Sequence, residues 1–158
     1  MSATLGGKAA IAGIGQTEFS KESGRTELQL ACEAVKAAIL DTGLTPADVD
    51  GMVTFNIDAN EEIEVARNVG IGNLTFFSRV PHGGGAAAGT VVQAAMAVAT
   101  GTAEVVVCYR AFNERSGFRF GGAARTATTT PLWLAPYAPF GLMTPAGWVA
   151  LHLSLIHI

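Results

Sequence analysis

The segment PHGGGAAAG, at residues 81–89, runs directly into the uncharged stretch TVVQAAMAVAT, at residues 90–100. This pattern predicts a helix over Ala86–Thr100 whose first turn is almost free of side chains and whose body is buried on every side. A helix N-terminus has unpaired backbone N–H groups and a partial positive charge, so it can hold an oxyanion. Glycines there let a ligand approach the backbone, although a tightly packed strand-to-helix turn explains the pattern equally well.

The composition indicates a strongly buried domain. The chain has 158 residues, 49% of them hydrophobic and 15% charged, with a net charge of -3. We therefore expect one domain that buries faces against partners, with no nucleic-acid binding. No apolar run approaches the ~20 residues of a membrane span, and Met1–Gly7 lacks the features of a signal peptide. Two cysteines, far apart in apolar stretches, favour buried thiols in a cytoplasmic protein over a disulfide.

Strands alternate with helices along the first two thirds of the chain. Thr26 is a candidate N-cap, Gln29 would complete a capping box, and Gly43 follows the last helical residue. Thr45-Pro46 predicts a short helical turn, and a further helix is expected over Asn60–Gly70. We expect strands at Lys8–Gly15, Gly51–Phe55, Thr75–Val80 and Glu104–Arg110. The sequence thus predicts an α/β fold with a mainly parallel sheet and a buried central helix.

The alternating pattern ends after Tyr109. Residues 112–130 are rich in Gly, Arg and Thr, and residues 131–145 are rich in Pro and aromatic side chains. A loop of this length is usually functional or interfacial. Thr144-Pro145 predicts another helix start. The final hexapeptide LSLIHI does not fit that helix, and it equals one translation of a common transposon-based sequencing adapter. We therefore expect an incomplete domain at residues 1–152 and a non-native tail at residues 153–158, with a real apolar tail as the alternative.

Four segments together resemble the N-terminal half of the thiolase superfamily. They are AIAGIGQTEF at residues 10–19, GLTPADVDG at 43–51, the glycine-rich segment at 81–89, and VVVCYRA at 105–111 with NERSG at 113–117 behind it. The match is strongest to thiolase-like lipid-transfer proteins, a branch that includes sterol side-chain aldolases. This resemblance implies two similar α/β halves, each a mixed, mostly parallel sheet with a buried helix, and a homodimer. The chain would hold most of the first half.

The resemblance also implies a function and a departure from thiolase chemistry. Thiolases carry a nucleophilic cysteine at the start of the buried helix, and the matching position here is Gly84 or Gly85. The cysteine-free relatives resemble retro-aldolases that cleave β-hydroxyacyl-CoA thioesters, here a steroid-like one. A thiolase-type acyltransferase and a non-catalytic acyl-CoA or lipid carrier are the alternatives. Coenzyme A would be part of the substrate, with no bound cofactor or metal, and a small OB-fold and zinc-ribbon protein would be the partner.

The candidate site residues follow from the same segments. His82 could contact the thioester, or it could simply order the turn. The backbone N–H groups of Gly84, Gly85 and Ala86 are candidates for stabilising an enolate. Arg115 and Arg119, with Arg110 and Arg125 nearby, could meet CoA phosphates or form loop salt bridges. Trp133, with Tyr137 and Phe140, could line an apolar tunnel or pack at an interface. Cys32 and Cys108 are expected in the core, and Asn113 and Glu114 could anchor the strand end.

Overall fold

The structure, a computed structural model, describes residues 5–55, 60–80, 87–113 and 135–156. The chain divides into two compact units, Met1–Ser116 and Gly117–Ile158. Within the described ranges, no helix combines the length and the apolar character needed to cross a membrane.

A three-stranded parallel sheet forms the centre of the first unit. Its strands are β1 (Gly51–Phe55), β2 (Phe76–Val80) and β3 (Val106–Cys108), in the order β2-β1-β3. Gly51 lies opposite Phe76 on one side and opposite Val106 on the other. The first unit thus confirms the predicted α/β class and its parallel sheet.

Helices cover both faces of this sheet. Helices α1 (Glu27–Thr42) and α2 (Glu62–Val69) share a buried cluster with Met52 of β1. Helix α3 (Gly89–Thr100) contributes Ala94 to a second cluster, with Val53 and Val80. Because neighbouring residues of a strand point to opposite faces, Met52 and Val53 connect the sheet to two different helical layers.

The capping residues in the sequence predicted the start and the end of α1 correctly. The Thr26 side chain accepts a hydrogen bond from the Gln29 backbone N–H at 3.1 Å, and Gly43 ends the helix with a φ of 76°. The predicted capping box is not formed, and the Gln29 side chain instead donates its amide Nε2 to Glu33 Oε1 at 2.9 Å. The turn after Thr45 is a 3-10 helix, Pro46–Asp48, in which Asp48 closes a capping box. The Asp48 pKa is lowered by its hydrogen bonds from Thr45.

The predicted strand at Lys8–Gly15 is wrong. Residues 9–20 form no regular secondary structure, and Ile11 and Ile14 are 76% and 73% exposed. The segment instead follows α1, where the Ile14 N–H donates to Asp41 Oδ2 at 2.9 Å. An apolar groove of about 650 Å³ separates it from β3, so no neighbouring backbone completes a ladder.

Two further expectations about the buried elements need correction. Helix α3 begins at Gly89, and Val91, Val92 and Met96 are about half exposed, so it is not buried on every side. β3 covers three residues rather than Glu104–Arg110, and its residues are half-buried or exposed. Val91 and the residues of β3 line the groove, which accounts for part of their exposure.

The described part of the second unit contains a 3-10 helix, Ala138–Phe140, and helix α4 (Pro145–Ile156). The Tyr137 and Trp148 rings pack edge to face, with centroids 4.4 Å apart. The start of α4 matches the Thr144-Pro145 signal. The helix continues through Ile156, so the expectation that the final hexapeptide does not fit it was wrong for residues 153–156, and His157 and Ile158 lie outside the described residues. The domain boundary at residue 152 stays a prediction.

Candidate active site at the carboxyl end of the sheet

The predicted site residues lie in two stretches outside the described residues, 81–86 and 114–134. Their roles therefore remain predictions. The structure describes the residues on either side of the two stretches. The residues concerned are His82, Gly84, Gly85, Ala86, Arg115, Arg119 and Trp133.

The glycine-rich segment connects the end of β2 to the start of α3, and these two ends are packed closely. A Cβ atom added to Gly89 would lie 3.3 Å from Val80 Cγ1, so only a glycine fits without displacement. Thr90 is buried, and its hydroxyl donates a hydrogen bond to the Ala87 carbonyl at 2.7 Å. Close packing thus explains Gly89. For the glycines at 83–85, close packing and the approach of a ligand both stay as predictions.

A buried network fixes the carboxyl ends of β1 and β3 relative to each other. Thr54 is fully buried and donates its hydroxyl to the Tyr109 carbonyl at 3.3 Å. The Tyr109 hydroxyl in turn donates to the Asn60 carbonyl at 3.2 Å. These hydrogen bonds link the strand ends at the edge where parallel sheets bind their ligands.

Arg110 lies at this edge between two aromatic rings. Its Cζ atom is 5.2 Å from the centroid of Phe55 and 4.7 Å from that of Phe112, both within cation–π range. The β1–β3 register, continued two residues past Val53 and Cys108, brings Phe55 beside Arg110. Both residues line a cavity of about 250 Å³ that also borders Ala87 and Thr90 at the start of α3.

Asn113 anchors the chain just before residue 114. Its amide Nδ2 donates to the Arg25 carbonyl at 2.8 Å, and its Oδ1 accepts from Ser23 Oγ at 3.3 Å. Its backbone N–H donates to Glu27 Oε1 at 3.3 Å. Asn113 therefore has the anchoring role that the sequence left open, whereas Glu114 lies outside the described residues.

The two cysteines differ in environment. Cys32 is buried in the α1 cluster, as expected. Cys108 was expected in the core, but the residue is exposed along the groove, because β3 lies at the edge of the described sheet. Its Sγ is nevertheless turned towards Thr90, whose carbonyl it approaches at 3.6 Å. Burial raises the pKa of both thiols, so neither is an activated nucleophile at neutral pH.

These pKa shifts predict slow thiol chemistry. At pH 7 the native protein should react with iodoacetamide much more slowly than the urea-unfolded chain, because a raised pKa keeps the thiolate fraction small. The native rate should increase as the pH is raised towards 10. Mass spectrometry after timed quenching measures both rates, and rapid labelling of either cysteine in native protein at pH 7 would contradict the prediction.

The described residues contain no group of three potential metal ligands. No known protein-family model matches the chain.

Two relatives of the chain are named as an aldolase and a lyase. The chain is 70% identical over 151 residues to a steroid side-chain-cleaving aldolase of Thermomonospora curvata, and 59% identical over 151 residues to 17-hydroxy-3-oxo-4-pregnene-20-carboxyl-CoA lyase of Mycobacterium tuberculosis. Each alignment covers 93% of this chain and 39% of the relative. The resemblance to thiolase-like steroid side-chain aldolases is confirmed. The chain spans about two fifths of the length of these aldolase relatives.

Solved structures agree with these sequence matches. A solved Ltp2-ChsH2(DUF35) aldolase superposes with a TM-score of 0.78 at 68% identity, over 94% of this chain and 37% of the solved chain. A monomeric SCP2-thiolase-like protein of Mycobacterium smegmatis superposes with a TM-score of 0.53 at 25% identity, over 62% of this chain and 22% of its own. The fold is thus thiolase-like, and the matched region is shared with an aldolase.

Proposed function

We propose that the chain is part of a longer thiolase-like aldolase that cleaves a steroid-like β-hydroxyacyl-CoA by a retro-aldol reaction. The observation that carries this proposal is the pair of relatives, 70% and 59% identical, whose names describe steroid side-chain cleavage and a carboxyl-CoA lyase. The glycine-rich segment that precedes α3 in the sequence supports it, because residues 81–89 contain no cysteine that could form an acyl-enzyme.

The proposed reaction needs a base and a place for negative charge. A base removes the proton from the β-hydroxyl, the Cα–Cβ bond breaks, and a ketone leaves. The electron pair passes to the thioester carbonyl as an enolate, which is then protonated at Cα to give the shortened acyl-CoA. We propose that the backbone N–H groups of Gly84, Gly85 and Ala86 stabilise this enolate, with His82 beside them. The base would come from the portion of the longer protein that this chain does not include.

A retro-aldolase and a thiolase-type acyltransferase respond differently to thiol blocking. The longer protein, expressed with its partner, should convert a 17-hydroxy steroid carboxyl-CoA to ketone and shortened acyl-CoA at an unchanged rate after alkylation with iodoacetamide. Liquid chromatography with mass detection follows both products. Complete inactivation by alkylation that substrate protects against would favour the acyltransferase, and tight acyl-CoA binding without turnover would favour the carrier.

We also infer the assembly in which this activity occurs. The solved aldolase that matches this chain combines Ltp2 with a ChsH2(DUF35) component, which supports a partner protein for the longer protein. We propose that this partner is a small OB-fold and zinc-ribbon protein. A homodimer is the accompanying proposal. Co-expression followed by size-exclusion chromatography with light scattering measures both, and a stable, active, partner-free monomer would contradict them.

A further inference from the structure

The apolar groove between β3 and residues 9–15 lies between the two helical layers. Its volume is about 650 Å³. Helices α1 and α3, which cover opposite faces of the sheet, form its walls. Most of the wall residues are apolar: Ala34, Val35, Ala38 and Ile39 on α1, and Val91, Ala94, Ala95 and Val98 on α3. The groove thus has the place that a further strand would take beside β3, with a helix on each face.

The backbone of β3 directs polar groups into this groove. The Tyr109 N–H donates to the Val53 carbonyl at 3.1 Å, so the backbone N–H of Tyr109 faces β1. Successive residues of a strand direct their N–H and C=O groups to alternate edges. The N–H and C=O groups of Val106 and Cys108 therefore point away from β1 and into the groove. Within the described residues, none of these groups has a hydrogen-bond partner.

Residues 9–15 form the other edge of the groove, and their backbone is also largely unpaired. Gly13 lies against α1, where a Cβ atom would be 2.6 Å from the Ala38 carbonyl oxygen. The Ile14 N–H donates to Asp41 Oδ2 at 2.9 Å. No other backbone group of this segment has a hydrogen-bond partner in the part of the chain that the structure describes. The groove is thus apolar on its walls and polar along both edges.

We propose that a β-strand from the portion of the longer protein outside this chain inserts into the groove and pairs with β3 and with residues 9–15. The inference rests on the proposal that the chain is part of a longer protein, since it spans about two fifths of its aldolase relatives. A strand satisfies the polar groups of both edges. A steroid or an acyl chain cannot do so, and a helix uses its backbone groups internally. A segment of the same polypeptide also has a higher effective concentration than a separate partner.

The walls of the groove determine the composition of the inserted strand. A strand that is covered by helices on both faces has a nearly continuous apolar run, because neither face meets water. Proline in its centre would remove a hydrogen bond to one of the two edges. We therefore expect an uncharged run, rich in Val, Ile and Leu and free of proline, in the remaining portion of the longer protein.

Hydrogen–deuterium exchange at single residues tests the insertion. The longer protein, expressed with its partner, is labelled without substrate and analysed by residue-resolved fragmentation. We expect the Val106 and Cys108 amides to exchange about a hundredfold or more slower than in an unstructured peptide, like the amide of Val107, which faces β1. Fast exchange at Val106 and Cys108 beside a protected Val107 would overturn the proposal. Protection that appears only after an acyl-CoA is added would also overturn it, because the groove would then be a ligand site.

A photo-crosslink identifies the source of the inserted strand. Ile14 lines the groove and is 73% exposed in this chain, so a diazirine-bearing amino acid at this position should contact the strand. We expect a crosslink within one polypeptide, to an apolar run outside residues 1–158. Leu40 is the control position, because it is 80% exposed and does not line the groove, and it should not label that run. Crosslinks from position 14 only to the partner, to a second copy or to residues 1–158 would overturn the proposal.

Both measurements are independent of turnover. If the longer protein shows the protection and the crosslink but cleaves no acyl-CoA thioester, the proposed reaction fails while the inserted strand stands. If it cleaves the thioester while Val106 and Cys108 exchange fast, the inserted strand fails while the reaction stands.

Discussion

Replacing Arg79 with methionine is expected to lower the free energy of unfolding by about 3 kcal/mol. Glu62 is the first residue of α2, and its side chain is only 11% exposed. The guanidinium of Arg79, in β2, forms a bidentate ion pair with this carboxylate. Arg79 Nε donates to Oε1 at 2.8 Å and to Oε2 at 3.0 Å, and Nη2 donates to Oε2 at 2.9 Å. The same hydrogen bonds raise the pKa of Arg79. Without the cation, a buried carboxylate remains unpaired, which costs more than the pair itself contributes.

The effect should fall near the lower end for buried ion pairs, for two reasons. The Arg79 side chain is 38% exposed, so solvent already screens part of the interaction. Glu62 also lies in the first turn of α2, where the helix dipole favours a negative charge. Glu62→Gln should therefore cost less, about 1 kcal/mol, since it leaves a neutral amide beside the exposed partner.

Urea unfolding followed by far-UV circular dichroism measures these differences. Arg67→Met is the matched control, because Arg67 is an exposed arginine in the last turn of α2, and it should change stability by less than about 0.5 kcal/mol. The double variant Arg79→Met with Glu62→Met should recover much of the loss by removing the buried charge. An Arg79→Met variant with the urea midpoint of Arg67→Met would refute the argument.

The sequence predicted those features that depend on neighbouring residues. The N-cap at Thr26 and the left-handed Gly43 define α1 through contacts within a few residues, and both are present. The strand at Lys8–Gly15 failed for the opposite reason. Apolar composition predicts burial, whereas a strand also needs a second backbone at ladder distance, and here a groove separates the segment from β3.

In the candidate site, too, contacts between distant residues depend on how the layers pack. Arg110 and Phe112 follow β3 two residues apart, but the predicted strand ended at Arg110, so the sequence analysis did not pair them. Phe55 joins them only through the β1–β3 register, which the sequence does not contain. The Glu62–Arg79 pair was missed because no local rule connects the first turn of a helix to a particular strand residue. Such contacts depend on how the layers pack.

The close contact between Gly15 and helix α1 predicts the second large effect, a loss of stability or of local structure. Gly15 lies directly on α1: a Cβ atom there would overlap the Ala34 carbonyl oxygen and the Ala38 nitrogen, and would lie 2.9 Å from the Ala37 carbonyl carbon. All three are backbone atoms within a helix, so none can rotate away as a side chain would. Gly15→Ala should therefore either destabilise the fold by about 3 kcal/mol or detach residues 9–15 from α1.

Hydrogen exchange distinguishes these two results of the Gly15→Ala change, and both differ from wild type. The Ile14 amide donates to Asp41 Oδ2 at 2.9 Å, so detachment should accelerate its deuterium uptake while β1 stays protected. Global destabilisation should accelerate both. Gly72→Ala is the control, since a Cβ atom there meets nothing within 4 Å, and it should be neutral or stabilise slightly by reducing the entropy of the unfolded chain. If Gly15→Ala matches Gly72→Ala in exchange and in urea midpoint, the backbone of residues 9–15 does not lie against α1, and the groove between that segment and β3 has a different shape.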